Sequence, residues 1–96
     1  MIVLNVTYKC KPGMNKAFLA KLNAEGLAAA CRAEAGNIKY DYYLPENGSD
    51  ELLLVEKWRD RDALKAHAAQ PHFARIGAVK ADYVDDTVIE KFFVEE

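Results

Sequence analysis

The sequence lacks the features that mark several large classes of protein. Lys and Arg total 13 against 15 Asp and Glu, so the formal net charge is −2. Without an excess of positive charge, the chain has no field that would hold a nucleic-acid backbone. Its apolar runs are far shorter than the roughly 20 residues that a membrane-spanning helix requires. These absences predict that the partners are neither nucleic acid nor membrane.

Cysteine is scarce, and the motifs of the common cofactors are missing. The two cysteines, Cys10 and Cys31, do not form a CxxC pair. Such residues usually behave as small buried hydrophobic groups. Residues 1–4 are typical of a strand rather than of a secretion signal, so we expect a cytoplasmic protein without a disulfide. The sequence has no phosphate-binding loop, dinucleotide fingerprint or nucleophile elbow, so we expect no cofactor.

The apolar content is high enough for one domain over residues 1–96, at 51% of the chain. Alternating, β-branched patterns predict strands at residues 2–9, 38–44, 51–59 and 84–94. A turn signal over residues 45–50 joins the middle two strands as a hairpin. Helical spacing predicts one helix over residues 15–35 and a second, interrupted helix from residue 61. The order βαββαβ predicts an α+β, ferredoxin-like fold, with both helices on one face of an antiparallel sheet.

Single residues predict where these elements start and stop. Gly26 lies in the middle of the first helix and is expected to mark a bend or a close contact. Gly36-Asn37 ends that helix, as a left-handed C-terminal cap does. We expect Asp60 to cap the N-terminus of the second helix and Pro71 to begin a new helical segment.

The predicted strands are apolar on both faces. In the third strand Leu52 and Leu54 point one way, whereas Leu53 and Val55 point the other. Two helices can cover only one face of a sheet, so the second face would be a large exposed patch. A second copy of the same sheet, related by two-fold symmetry, would cover it. The sequence therefore predicts a homodimer, and a monomer with an uneven apolar surface is the alternative.

Two segments carry a family resemblance. Residues 32–40 are similar to an R-x-E-x-G-x-x-x-Y segment, and residues 56–73 are similar to an E-x-W-x-D-x-x-A-L-x-x-H-x-x-x-P-H-F run. Both are found in the antibiotic biosynthesis monooxygenase (ABM) family, which the chain resembles over nearly its whole length. The resemblance implies a dimeric α/β barrel, with a pocket between sheet and helices in each subunit. Relatives include cofactor-independent monooxygenases of quinols and polyketide phenols, haem-degrading enzymes and isomerases of small signalling sugars.

Oxygenation without a cofactor requires a base, donors that stabilise a substrate anion, and an apolar pocket that excludes water. His67 is the first candidate for the base, because its ordinary pKa lies near working pH, and a structural histidine is the alternative. His72 could assist as a second pocket group, or simply begin a helix. Asn5 is an amide in an apolar strand and must find partners. In some relatives an Asn of this strand contacts substrate; a hydrogen bond across the sheet is the alternative.

Further candidates lie on the strands and at the start of the last helix. The indole N–H of Trp58 could donate to a phenolate, although a packed core position is the alternative. Glu56 could orient a histidine, or form an ion pair with Arg32 or Lys39. The candidates for substrate contact are Tyr40, Tyr42, Glu56 and Phe73.

Haem and metal sites are the competing interpretations of the same residues. Haem-degrading relatives typically carry a Trp and, about one helix further on, a haem-ligating His; this chain has His67 and Gly77 there. We therefore expect no haem, with His72 as the alternative ligand. Glu56 and the two histidines could form a two-His-one-carboxylate site. The histidines are five residues apart across Pro71, which suits a single helix face poorly, so we expect no metal.

The sequence and the resemblance together predict a cofactor-independent monooxygenase that oxidises quinol-like or polyphenolic aromatic substrates with O2. Two alternatives remain open. One is an isomerase or other proton-transfer enzyme that acts on a small polar metabolite. The other is a non-catalytic module that binds a small ligand.

Overall fold

The computed structural model describes residues 1–95 and contains four strands and four helices. Of the domain predicted over residues 1–96, only Glu96 lies outside the described residues. The elements are β1 (Ile2–Cys10), α1 (Asn15–Ala24), α2 (Leu27–Arg32), β2 (Asn37–Tyr43), β3 (Glu51–Trp58), α3 (Arg61–Ala68), α4 (Pro71–Lys80) and β4 (Val84–Phe93). Each of the two predicted helices is therefore divided into two helices.

The four strands form one antiparallel sheet in the order β2-β3-β1-β4. This order confirms the predicted ferredoxin-like fold, in which each β-α-β connection skips one strand of the sheet. The register places Leu4 opposite Glu56, Val6 opposite Leu54 and Ile2 opposite Trp58. Because side chains alternate along a strand, these residues share the face that the helices cover.

The core lies between that face and the helices. Strand β3 alternates strictly between buried and half-buried residues, as a two-layer arrangement requires. Phe18 and Leu22 of α1 are fully buried against the sheet, and so is Cys31 of α2. Ile76 and Val79 contribute from α4. Each large apolar side chain buried in this way stabilises the fold by roughly 1.5–3 kcal/mol relative to an exposed one.

Gly26 divides the first predicted helix. Its φ angle is 67°, in the left-handed region that glycine adopts without steric cost, and it separates α1 from α2. The expected bend is therefore a complete break. It allows α2 to take a direction of its own before the chain enters β2.

The prediction of a left-handed cap at Gly36 is wrong. Helix α2 ends at Arg32, with Ala33 as its C-cap, and the glycines with positive φ are Gly13, Gly26 and Gly48. Gly36 serves another purpose: a Cβ there would overlap the Cβ of Ala63 and lie 3.3 Å from its Cα. The residue is required by the close approach of the α2–β2 turn to α3.

The other predicted boundaries are confirmed. Asp60 accepts a hydrogen bond from the Ala63 amide at 2.8 Å and so caps α3. Pro71 stands at the start of α4. The hairpin between β2 and β3 turns at Gly48, whose φ angle is 73°.

The opposite face of the sheet, which we call the open face, carries Val3, Asn5 and Thr7 of β1 together with their partners in the register. Leu53 and Val55 of β3 lie on it and are half-buried. Strand β4 is exposed along most of its length, with Val88 at 41% and Phe92 at 46% exposure. Among the helices of residues 1–95, none has the length and apolar character needed to cross a membrane.

Candidate functional site

One carboxylate oxygen holds both histidines of the chain. Glu34 Oε2 lies 2.6 Å from His67 Nδ1 and 2.9 Å from His72 Nε2. The thiol of Cys31 stands beside them, so that one donor atom from each of the four residues lies within 4.8 Å of every other. We refer to Cys31, Glu34, His67 and His72 as the Glu34 cluster.

The turn between α2 and β2 positions Glu34. Its carbonyl oxygen accepts a hydrogen bond from the Asn37 amide at 3.0 Å, and the Gly36 carbonyl accepts one from the Arg59 amide at 2.9 Å. The contact of Gly36 with Ala63 holds the turn against α3, the helix that carries His67. The two segments that resemble the ABM family therefore meet in space at this cluster.

The imidazole of His67 lies in an aromatic cage. It is 3% exposed. Its ring centroid is 4.4 Å from that of Trp58, and Phe73 meets it edge-on at 5.2 Å. A polar group buried this deeply needs hydrogen-bond partners. The Nδ1 atom of His67 forms a hydrogen bond with Glu34. The Nε2 atom faces Glu56 Oε1 at 3.8 Å, which is longer than a hydrogen bond.

Glu56 and Trp58 form a second buried pair behind His67. The indole N–H of Trp58 donates to Glu56 Oε1 at 3.0 Å, so the N–H that we expected to serve a substrate is already engaged. Burial raises the pKa of Glu56, although the indole hydrogen bond and the neighbouring His67 oppose that shift. Arg32, a predicted partner of Glu56, instead donates to the Tyr40 carbonyl at 2.8 Å.

The shared carboxylate determines which nitrogen of each neutral imidazole carries the proton. An ionised carboxylate only accepts hydrogen bonds, so His67 must donate from Nδ1 and His72 from Nε2. Nε2 of His67 and Nδ1 of His72 are then the proton-accepting atoms. The Nδ1 atom of His72 belongs to a side chain that borders the groove described next.

A groove of about 510 Å³ runs between the end of α2 and helix α3 and reaches Glu34 and His72. Its walls carry the polar side chains of Arg59, Asp62 and Gln70. The His72 side chain is 18% exposed and that of His67 only 4%. A small molecule in the groove would therefore meet His72 first, with His67 behind it.

The predicted aromatic residues surround the cluster. Tyr40 is 2% exposed, and its ring centroid lies 6.0 Å from that of His67. Tyr42 packs against Tyr40 at 5.8 Å, and its hydroxyl is buried without a hydrogen-bond partner among residues 1–95. Burial raises the pKa of Tyr42 to about 12, so its phenol stays protonated at neutral pH. Phe73 keeps 44% exposure while it contacts His67.

Asn5 is the one predicted site residue that the fold does not bring to this cluster. It stands opposite Val55 and points to the open face, because its neighbours Leu4 and Val6 point to the core. The sheet itself separates it from both histidines.

The sequence does not predict Glu34 or Cys31 as site residues, although both lie in or beside the first family segment. Glu34 meets His67 across a separation of 33 residues, which no local pattern reveals. Cys31 is fully buried, and burial raises the pKa of its thiol to about 11. At neutral pH it is therefore a protonated thiol and a poor nucleophile.

Comparison with known proteins agrees with the geometry. The family model for antibiotic biosynthesis monooxygenase matches residues 1–79. YcnE of Bacillus subtilis, which carries a provisional monooxygenase name, is 37% identical over 73 residues, covering 76% of this chain and 75% of YcnE. Rv0793 of Mycobacterium tuberculosis, similarly named, is 35% identical over 83 residues, covering 82% of this chain and 79% of the relative.

Solved structures show the same fold. PA3566 from Pseudomonas aeruginosa superposes with a TM-score of 0.85 at 29% identity, covering 99% of this chain and 94% of that one. The structure of Rv0793 superposes with a TM-score of 0.85 at 26% identity, covering 99% of this chain and 95% of the other. The family model, the relatives and the fold all indicate the same family. The chain belongs to the antibiotic biosynthesis monooxygenase family.

Proposed function

We propose that the chain is a cofactor-independent monooxygenase that oxidises quinol-like or polyphenolic aromatic substrates with O2. One observation carries the proposal: two imidazoles share a buried carboxylate at the end of an open groove. A carboxylate that fixes the tautomer of an imidazole also stabilises the imidazolium formed when the ring accepts a proton. The cluster therefore supplies a base, and the carboxylate supplies its counter-charge, in a site from which water is partly excluded.

The proposed reaction consumes a hydroquinone and O2 and yields a hydroxyquinone and water. The base removes a phenolic proton, and the anion passes an electron to O2. The resulting radical pair combines to form a C–O bond at the ring. The O–O bond then breaks, one oxygen atom stays on the ring in place of hydrogen, and the other leaves as water. The substrate supplies all the electrons, so the protein needs to provide only proton transfer, anion stabilisation and exclusion of water.

The geometry favours His72 as the group that accepts the substrate proton. Its Nδ1 is the accepting nitrogen, and its side chain borders the groove. His67 remains the alternative base, but its accepting nitrogen faces Glu56 and is buried. In this proposal Glu34 balances the charge, while Tyr40 and Phe73 form the apolar wall around the imidazoles.

Oxygen uptake with chemically reduced naphthoquinones tests the proposal. We expect uptake above the buffer rate and one atom of labelled O2 in each product molecule. His72→Gln should lower kcat by about 10²–10⁴-fold, the usual contribution of a general base. The exposed substitution Glu46→Gln is the control and should leave kcat unchanged. A folded protein with no uptake above buffer would contradict the proposal.

A comparison of the two histidine variants separates their roles. If His72 accepts the proton directly, His67→Gln should lower kcat less than His72→Gln does. The His67 ring also packs against Trp58, so its variant should lose thermal stability that the His72 variant keeps. Equal thermal stability together with a larger loss of kcat in His67→Gln would assign the base to His67 instead.

The polar walls of the groove favour a second candidate function. Arg59, Asp62 and Gln70 suit a small polar metabolite better than a flat aromatic ring. The same histidine would then move a proton within the substrate, without O2. Exchange of substrate C–H hydrogen with deuterated solvent under anaerobic conditions would reveal this activity.

We also propose that the chain works as a homodimer joined through the open face. The helices leave Leu53 and Val55 without cover, and Val88 and Phe92 are largely exposed beside them. An apolar surface of this extent usually marks an interface. A symmetric second copy would bury it against itself, so that no other partner is needed.

A further inference from the structure

The Glu34 cluster holds a set of donor atoms that metal ions prefer. It offers two imidazole nitrogens, one carboxylate oxygen and one thiol sulfur, all within 4.8 Å of one another. Imidazole and thiolate together favour Zn²⁺ over Mg²⁺ or Ca²⁺, which prefer oxygen ligands. The donor set alone therefore narrows the class of ion.

In the fold, the five-residue spacing of the two histidines does not prevent them from sharing a metal ion. His67 and His72 cannot share one helix face, but α3 ends at Ala68 and α4 begins at Pro71. The break between the helices turns the chain so that both rings converge on Glu34. The carboxylate that completes the set is Glu34 rather than Glu56, the one that sequence spacing suggested.

The distances suit a tetrahedral ion after a small adjustment. Bonds of ordinary length from zinc to nitrogen, oxygen and sulfur place the ligand atoms about 3.3–3.8 Å apart. The two hydrogen-bonded pairs, now at 2.6 and 2.9 Å, would each open by roughly 0.5–1 Å to admit the ion. His72 borders the groove and has room to move.

The surroundings resemble the outer shell of a metal site. The nitrogen of His67 that faces away from Glu34 lies 3.8 Å from the Glu56 carboxylate, which Trp58 holds in turn. Carboxylates behind ligating histidines orient the ring and strengthen the metal bond. The groove provides an entry path to Glu34 and His72 from solvent.

We propose that Cys31, Glu34, His67 and His72 bind one Zn²⁺ ion per chain in a tetrahedral site. The thiol proton leaves to solvent as the bond between sulfur and zinc forms, and each imidazole loses the N–H that faces Glu34 and carries its proton on the other ring nitrogen instead. Zinc would bind the same histidine and carboxylate that the proposed oxidation uses and would leave a proton on Nδ1 of His72, so the zinc-loaded and the catalytically active states exclude each other.

Titration of untagged, chelator-treated protein with Zn²⁺ alone tests the site by calorimetry. We expect one ion per chain. Cys31→Ala and His72→Asn should each weaken binding by at least about 100-fold, more than loss of an outer-shell partner usually does. The control is Cys10→Ala, which removes the other buried cysteine and should leave zinc binding unchanged.

Cobalt identifies the ligands directly. Co²⁺ in the same site should give the intense visible bands of a tetrahedral ion and a thiolate charge-transfer band in the near ultraviolet. Cys31→Ala should abolish the charge-transfer band and Cys10→Ala should keep it. If circular dichroism shows that Cys31→Ala does not fold, His72→Asn decides, because the His72 side chain is partly exposed.

Three results would overturn the proposal: absence of zinc binding, equal binding by wild type and His72→Asn, or a cobalt spectrum without the thiolate band. The titration uses no substrate, so its outcome is separate from that of the oxygen-uptake assay. If the protein binds zinc in the titration, and its zinc-free form oxidises no quinol, the metal site stands and the proposed activity is rejected. A chain that oxidises quinol and binds no zinc would retain the proposed activity and lose the metal site.

Discussion

At the scale of single residues, Glu34 is the side chain that binds both histidines. One oxygen atom accepts from two imidazoles, and a charged partner makes such hydrogen bonds about twice as strong as neutral ones. An amide oxygen in its place could still accept hydrogen bonds from the imidazoles but would supply no counter-charge. The arrangement of both rings, and the charge that balances a proton on either, depend on this side chain.

Glu34→Gln should therefore lower the kcat of the proposed quinol oxidation by about 10–100-fold, because the imidazolium loses its counter-charge. Glu46→Gln makes the same chemical change on an exposed turn and should have no effect. Steady-state oxygen uptake measures both. An unchanged kcat in Glu34→Gln would show that the carboxylate has no part in catalysis.

Gly36 and Gly77 give opposite predictions for the same substitution. Gly36→Ala would force a Cβ into Ala63 and should destabilise the protein by about 1–3 kcal/mol. Gly77→Ala meets no atom within 4 Å in the interior of α4 and should stabilise it by about 0.5–1 kcal/mol. Urea denaturation measures both changes. Adding Ala63→Gly to Gly36→Ala should restore part of the lost stability, and a failure to do so would reject the steric account.

At the scale of elements, ion pairs join helices that are distant in sequence. Arg75 of α4 donates from Nε to Glu25 at 2.6 Å, and Lys21 of α1 lies 3.1 Å from the same carboxylate. The hydrogen bond from Arg75, with help from Lys21, lowers the pKa of Glu25 to about 2. The pair lies at the surface, where solvent and salt screen it, so its effect on stability is small.

The sign of the pH dependence follows from that lowered pKa. The stabilisation is fully present above the ordinary pKa of 4.5 and disappears as the pH falls towards 2. Glu25→Gln should lower Tm at pH 7 by no more than a few degrees, and the gap from wild type should close near pH 2. Thermal melts followed by circular dichroism at both pH values measure it. A gap that stays constant with pH would exclude the ion pair as the cause.

At the scale of the whole molecule, the sheet divides the chain into two surfaces of different character. The helices cover one face completely over β1 and β3, whereas the open face keeps its apolar residues partly exposed. Asn5 belongs to the open face, so the sheet separates it from the histidines. The proposed dimer interface and the Glu34 cluster thus lie on opposite sides of one sheet.

Val55→Glu places a charge in the middle of the open face, facing its own copy across the proposed two-fold axis. We expect the dimer dissociation constant to rise by at least about 100-fold, since two unpaired carboxylates would be buried together. Ala20→Glu adds the same charge on an exposed position of α1 and should leave the dimer intact. Analytical ultracentrifugation measures both. A wild-type chain that sediments as a folded monomer at high concentration would contradict the dimer.

Local chemistry determined most of the fold. Alternation in the strands, the hairpin turn, the Asp60 cap and the Pro71 helix start all depend on residues adjacent in sequence, and each was predictable. Sequence patterns mislead where distant segments decide the outcome. Gly36 follows a helical stretch and so resembles a C-terminal cap, because no residue near it in sequence indicates that Ala63 packs against it.

The sequence by itself determined the order of elements, the family and the apolar character of both sheet faces, because periodicity and composition are local properties of the chain. Only the tertiary structure decided that Glu34, rather than Glu56, holds both histidines, and that Asn5 lies on the other side of the sheet. A hydrogen bond of 2.6 Å between residues 33 positions apart depends on how a turn and two helices pack. The spacing of residues along the chain does not predict that packing.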